Sequence, residues 1–146
     1  MAIKLRATSP TGETRMWTLR EIAQGKPIDR PIHPMLIHFP IAFTIGALGL
    51  DVLSRLGGFP AAPLAATWLI VGALVGFAGA AIAGLADRSA MPKAVKIHRI
   101  ATRHALVQVV AAAIVVVSLV LRWPDRNAPE SDLVWIALGT LGALVV

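Results

Sequence analysis

The sequence contains no cysteine and no tyrosine, and only 8 of its 146 residues are aspartate or glutamate. Without cysteine, the chain cannot bind an iron–sulfur cluster through thiolates, attach haem covalently or form a disulfide bond. Without tyrosine, it has no phenolate ligand. Any metal or cofactor must therefore be held by histidine, carboxylate or backbone groups.

No serine or carboxylate stands beside a histidine in an arrangement that nucleophilic or acid–base catalysis requires. We therefore do not expect an enzyme, and at most expect an electron-transfer subunit.

Charged residues make up only 15% of the chain, whereas hydrophobic residues make up 56% and the mean hydropathy is +0.71. Soluble domains carry more charge and less apolar surface. Uncharged runs at 64–85 and 105–121 match the roughly 20 residues that a helix needs to cross a bilayer. The last apolar run, residues 133–146, would span only about 21 Å as a helix. We predict an all-α integral membrane four-helix bundle, with helices at about 35–56, 64–86, 98–122 and 133–146.

Basic residues are concentrated in residues 1–34 and 86–103, whereas the other connections mix a few arginines with carboxylates. The positive-inside rule then predicts that both termini are cytoplasmic, with residues 1–32 forming a cytoplasmic segment. Within it, residues 2–8 suggest a short strand, and Thr18 with Glu21 matches a capping box that would begin a short interfacial helix. The net charge of +6 follows from this topology, so no nucleic-acid partner is expected.

The 4 histidines form two pairs, and each pair stands at the start of an apolar run. His33 and His38 open the first helix, and His98 and His104 open the third. Imidazole in or near hydrocarbon is unfavourable unless it is used, so these residues mark the candidate site. Helices one and three run in the same direction, so we expect His38 and His104 at one depth, with His33 and His98 nearer the cytoplasm.

Two imidazoles from separate helices are the ligand set of a b-type haem. We expect His38 and His104 to be the axial ligands, and Gln108 to reach the cofactor edge or a quinone oxygen. A quinone or a zinc or copper ion would suit the same histidines, and a direct polar link between the helices would also satisfy them. His33 and His98 need no cofactor, although they would suit a second haem. The haem propionates would point towards Lys96, Arg99 and Arg103.

Four further features predict packing rather than chemistry. Asp51 lies about 20 Å along its helix from His38, and we expect it to pair with Arg55 one turn on. Pro40 should kink helix one or remove one of its hydrogen bonds, which would leave a free carbonyl near Leu36. Asp87 and Arg88 suggest an interfacial cap and anchor. Small residues at four-residue spacing predict a close approach between helices, at Gly72, Gly76, Ala80 and Gly84.

The stretches HPMLIHFPIAF, GLADRSAMP and RHALVQVV, together with Asp51, resemble the small bacterial membrane proteins grouped as domain-of-unknown-function family 2231. The resemblance covers residues 25–125 and implies a four-helix protein of the bacterial inner membrane, sometimes found beside or fused to redox domains. It implies no established activity. Gln108 stands where the family pattern leads us to expect asparagine. The matching positions are His33, Pro34, His38, Phe39, Pro40, Asp51, Gly84, Asp87 and His104.

We therefore expect a haem-binding or quinone-linked electron-transfer subunit in the lipid bilayer. The alternative is a non-catalytic accessory subunit, packed through its small-residue faces against a larger membrane complex or a second copy of itself. A transporter or proton conductor is disfavoured, because the helix interiors carry almost no charge and no broken-helix repeat is evident.

Overall fold

A computed structural model describes residues 3–57, 59–94 and 96–146, and most of them are helical. Two short strands, β1 (Lys4–Thr8) and β2 (Thr14–Thr18), come first. A 3₁₀ turn at Lys26–Ile28 separates the first two helices. The helices are α1 (Leu19–Ala23), α2 (Ile32–Leu36), α3 (His38–Arg55), α4 (Ala62–Ala90), α5 (Lys96–Arg122) and α6 (Leu133–Val145).

The N-terminal segment is a β-hairpin followed by the short helix α1. The strands pair antiparallel, and the buried Trp17 donates from Nε1 to the carbonyl of Ala7 at 3.0 Å. The sequence analysis predicts only the first strand, so β2 is an addition to the all-α prediction. The capping box is present, because Thr18 Oγ1 accepts from the Glu21 amide and Glu21 Oε2 accepts from the Thr18 amide. Gln24 then donates to the Ala86 carbonyl at 2.9 Å, which joins this segment to α4.

The helices α3, α4, α5 and α6 pack in a ring in which each contacts the next along the chain and α6 closes against α3. The helices α3 and α5 therefore face each other diagonally and run parallel. Ile32–Arg55, Ala62–Ala90 and Lys96–Arg122 are each long and apolar enough to span a membrane. The helix α6 is apolar but shorter. The four-span topology and the cytoplasmic termini accordingly stay predictions.

We call the end of the bundle that carries the basic residues of 1–34 and 86–103 the basic end, and the opposite end the distal end. The predicted loss of a hydrogen bond at Pro40 lies near the basic end. Helix α2 ends at Leu36 and α3 begins at His38. Proline lacks an N–H, and its ring crowds the carbonyl four residues earlier, so one backbone hydrogen bond is lost at this point. Ile37 keeps helical dihedral angles, and the Ile37 and Ile41 amides donate to the His33 and Ile37 carbonyls, so the chain remains helical from Ile32 to Arg55.

The small residues of α4 form the packing surface that their spacing predicts. A Cβ on Gly72 would lie 2.9 Å from the Phe43 ring, and one on Gly76 would lie 2.8 Å from Pro40 Cδ. Side chains larger than hydrogen at these positions would push α3 away. The backbone of α4 therefore lies directly against α2 and α3.

A buried ion pair joins α3 to α5 at the distal end. Arg122 Nη2 donates to Asp51 Oδ2 at 2.7 Å, Nη1 donates to Oδ1 at 3.3 Å, and both side chains are 0% exposed. The predicted pairing of Asp51 with Arg55 is wrong. Arg55 instead pairs with the exposed Glu130 at 3.2 Å. Asp51 faces the interior of the ring, where the long side chain of the diagonal helix reaches it and its planar fork matches a carboxylate.

The same carboxylate also fixes the connection between α5 and α6. Ser131 Oγ donates to Asp51 Oδ1 at 2.7 Å, and the Ser131 amide donates to Ser54 Oγ at 2.9 Å. The guanidinium of Arg122 lies 5.4 Å from the centre of the Trp135 ring. The distal end is thus held by one hydrogen-bonded cluster that involves α3, α5 and the start of α6.

The capping box generates a prediction about pH. The amide and hydroxyl of Thr18, and then the charges of Arg15 and Lys26, hold the pKa of Glu21 below its ordinary value of 4.5. A lowered pKa means that the carboxylate stabilises α1 fully above that ordinary value, and that this contribution is lost as the pH falls through the lowered pKa. NMR titration of the Glu21 carboxyl carbon should therefore give a midpoint below 4.5. Glu21→Gln, which keeps a capping-box residue without a titrating group, should show no pH-dependent fraying of α1 in this range, and a midpoint at or above the ordinary value would contradict the assignment.

The ion pair generates a prediction about stability. Asp51→Leu leaves the Arg122 charge buried without a partner, which should lower the free energy of unfolding by about 3–5 kcal/mol. The double variant Asp51→Leu with Arg122→Met removes both charges and should recover most of that loss. Glu130→Gln, which breaks only the exposed pair with Arg55, should cost about 0–1 kcal/mol. Denaturant unfolding in detergent micelles measures all three, and the assignment fails if Asp51→Leu is as mild as Glu130→Gln.

Candidate cofactor site

A cavity of about 520 Å³ lies in the basic half of the bundle, between α2, α3, α4 and α5. Its deeper walls are apolar and include Phe77 and Ala112. Val146, which directly follows α6, also lines it. The polar lining residues lie towards the basic end, and they are His33, Asp87, Arg88, His104 and Gln108.

The His33 ring is oriented by two contacts with α4. Its Nδ1 lies 2.8 Å from the carbonyl oxygen of Ala80. Because a carbonyl only accepts, Nδ1 carries a proton, and Nε2 of the neutral ring retains its lone pair. The ring also lies against Gly84, where a Cβ would be 3.0 Å from ring atoms. Metal-binding histidines are commonly oriented in this way, by donating the other ring N–H to a backbone carbonyl.

The His104 ring lies beside that of His33, with ring centroids 6.2 Å apart and planes at 81°. The structure thus pairs His104 with His33, whereas the sequence analysis expects His38 at this depth. His38 is exposed on the first turn of α3, beyond the end of α2, and does not line the cavity. The physical reason is that α2, and not α3, packs against α4 at this level.

The spacing between histidine and charged residue is the same on the two helices. Asp51 follows His33 by 18 positions, and Arg122 follows His104 by 18 positions. Eighteen residues make five helical turns, which rise about 27 Å and return to the same face. The two helices are also level between these ends. Thr44 follows His33 by 11 positions, and Val115 follows His104 by 11 positions. Both lie beside Gly142 of α6, where a Cβ would be 3.6 Å from Cγ2 of each.

This equal spacing is the sequence feature from which the pairing of His33 with His104 could have been predicted. A histidine and a charged residue separated by five turns occur on both helices, and the two charges are opposite in sign. Aligning Asp51 with Arg122 places His33, rather than His38, at the level of His104.

The remaining predicted residues divide between the cavity and the surface. Gln108 lines the cavity one turn beyond His104, and its contact with a cofactor edge or a quinone oxygen stays a prediction. His98 is half-buried and outside the lining. Arg99 and Arg103 are exposed and lie around a separate surface pocket, so the structure does not bring them to the cavity.

Arg88 is the cation that does reach the cavity, although the sequence analysis treats it as an interfacial anchor. Its Nε donates to Thr102 Oγ1 at 3.0 Å, and that hydroxyl donates to the His98 carbonyl at 2.8 Å. These two bonds hold the guanidinium between α4 and α5. The terminal nitrogens of Arg88 are the parts of the side chain that would bind an anionic group.

Within residues 3–57, 59–94 and 96–146, no three histidine, aspartate or glutamate side chains converge in a group that could bind a metal. Structural zinc usually takes four such ligands, and catalytic zinc three. The zinc or copper ion that the two histidines suggest stays a prediction, as does a cofactor held by two imidazoles.

A family model described as "Predicted membrane protein (DUF2231)" matches residues 29–146. The chain belongs to this family. The match runs from the 3₁₀ turn's end through α6, so the cavity and the distal ion pair both lie within the DUF2231 region. The resemblance seen in the sequence is confirmed, and the description supports a membrane location. No curated protein and no solved structure matches the chain.

The contact between His33 and Gly84 generates a prediction. Gly84→Ala should displace the imidazole and break its bond to Ala80, because the new methyl group would lie 3.0 Å from ring atoms. Nitrogen NMR of histidine-labelled protein should show the Nδ1-protonated form of His33 in the parent chain and its loss in Gly84→Ala. Gly79→Ala is the matched control, because its Cβ would meet only Leu36 Cδ1 at an ordinary 3.5 Å. An Nε2-protonated His33 in the parent chain would refute the orientation.

Proposed function

We propose that this membrane protein binds a b-type haem between His33 and His104 and carries single electrons through it. The observation that supports this proposal best is the hydrogen bond from His33 Nδ1 to the Ala80 carbonyl. It fixes the tautomer whose Nε2 is free to bind iron, and it does so beside a second imidazole in an apolar cavity. His33 thus takes the ligand role that the sequence analysis assigns to His38.

The distances in the site suit such a ligand. With metal–nitrogen bonds of about 2.0 Å on each side, two imidazoles on one metal have ring centres about 6 Å apart. The observed separation is 6.2 Å. A cavity of about 520 Å³ also lies within the usual range for cofactor sites.

The protein's own groups would orient and tune the cofactor. The carbonyl of Ala80 holds the His33 ring in one orientation. Arg88 is placed to pair with a carboxylate at the basic end of the cavity, and Asp87 beside it partly offsets the positive charge. Bound haem would supply reversible one-electron chemistry at its iron.

A quinone is the second candidate for the same cavity, and Gln108 is the observation that favours it. Its amide lines the cavity one turn deeper than His104. An amide and an imidazole together can bond both the oxygen and the hydroxyl forms of a quinone ring, while apolar walls accommodate its tail. A quinone would make the protein a partner of other membrane electron carriers.

The test is the spectrum of the purified, full-length protein in detergent. Haem ligation by two histidines predicts a Soret band and sharp α and β bands after dithionite reduction. His104→Ala should remove them. His33→Asn should also remove them although its side-chain amide can still donate to Ala80, because the Nε2 position is lost. His38→Asn and His98→Asn are the controls and should retain the bands.

The other outcomes separate the alternatives. A colourless preparation with no haem by the pyridine haemochrome assay contradicts the haem proposal. Extraction of a quinone from that preparation, lost in His104→Ala and reduced in Gln108→Leu, would favour the second candidate. A preparation with neither ligand that purifies only with other subunits would favour the accessory role and make the histidines structural.

A further inference from the structure

Three cations on α5 stand apart from the cavity. Lys96, Arg99 and Arg103 surround, together with Ile100, a second pocket of about 210 Å³. Successive residues of a helix are about 100° apart, which turns the mean direction of these side chains about 130° away from that of His104 and Gln108. We call Lys96, Arg99 and Arg103 the basic face of α5. It points away from the cavity and out of the bundle.

The basic face has no anionic partner within the described part of the chain. All three side chains are exposed. None of them takes part in the ion pairs found among residues 3–57, 59–94 and 96–146. Like charges three or four positions apart on a helix repel each other. An anion between the three side chains would relieve this repulsion.

The position of the basic face along α5 indicates which kind of anion would suit it. The uncharged run of α5 begins at Ala105, directly after His104. The three cations therefore lie in the first two turns, at the level where lipid headgroups meet the apolar layer. Ile100, which is also exposed, adds an apolar contact within the same pocket. A headgroup phosphate with adjoining acyl chains offers the matching charge and the matching apolar surface.

We propose that the basic face of α5 binds the phosphate of an anionic phospholipid. Lys96, Arg99 and Arg103 contact the phosphate oxygens, and Ile100 packs against the lipid. Basic clusters at the ends of membrane helices attract anionic headgroups, and each cation strengthens the attraction. This site is independent of the proposed haem or quinone site, because it lies on the other side of α5.

The experiment follows the thermal unfolding of the full-length protein in detergent while phosphatidylglycerol is added, with phosphatidylcholine and inorganic phosphate as parallel titrations. Phosphatidylglycerol should raise the unfolding temperature in a saturable way, and the other two should not. Replacing the three cations, as Lys96→Gln, Arg99→Gln and Arg103→Gln together, should raise the half-saturating concentration by about tenfold or more. Native mass spectrometry should show the loss of retained lipid in the same variant.

Two variants keep the result interpretable. Lys4→Gln, Arg6→Gln and Arg20→Gln together remove the same charge from the same end of the protein, and should leave the titration unchanged. Lys96→Arg, Arg99→Lys and Arg103→Lys together keep the charge and should retain binding. Equal protection by inorganic phosphate or by phosphatidylcholine would overturn the proposal. So would an equal loss in the Lys4, Arg6 and Arg20 variant, or the absence of any protection.

Discussion

The bidentate pairing of Arg122 with Asp51 is the constraint on which the alignment of this bundle depends. Neither charge can remain alone among the apolar side chains of the distal half, so the two helices that carry them must meet at one level. These helices lie diagonally across the ring and have few direct backbone contacts. Their relative height is therefore set by the length of an arginine side chain rather than by interlocking of their surfaces.

The alignment of α3 with α5 at the distal end also sets the relative height of the histidines at the basic end. Because each histidine lies five turns from its charged residue, fixing Asp51 against Arg122 also brings His33 to the level of His104. The small residues of α4 then complete the site from the side. They let α2 approach closely enough for the His33 ring to lie on Gly84 and reach the Ala80 carbonyl. The candidate site thus depends on two separate constraints, one polar and distant, the other steric and local.

Much of the architecture could be predicted from the sequence, because hydrophobic runs, Pro40 and the small residues of α4 each act through local rules. The capping box at Thr18 is another such case. The pairing of His33 with His104 could not be predicted in this way. The start of an apolar run indicates how deep a histidine lies in its own helix, but not which residue of another helix it contacts. The partner of Asp51 was wrong for the same reason: the nearest arginine in the chain is Arg55, whereas the nearest in the ring is Arg122.

Arg99 and Arg103 were predicted to reach the propionates of the cofactor, and they lie outside the cavity for a different reason. Composition places positive charge near His104, but it does not say on which side of the helix the charge lies. The helical angle between Arg103 and His104 carries that information, and it separates the two by about 100°. Arg88, on the neighbouring helix, instead occupies the rim of the cavity.

The missing hydrogen bond at Pro40 leaves His33 with two attachments. Along the chain its helix still continues into α3, because the Ile37 and Ile41 amides donate to the His33 and Ile37 carbonyls. Across the bundle its imidazole is bonded to Ala80 of α4, and α4 is bonded through the Ala86 carbonyl to Gln24 of the N-terminal segment. The position of the imidazole therefore depends both on the distal ion pair and on the N-terminal segment.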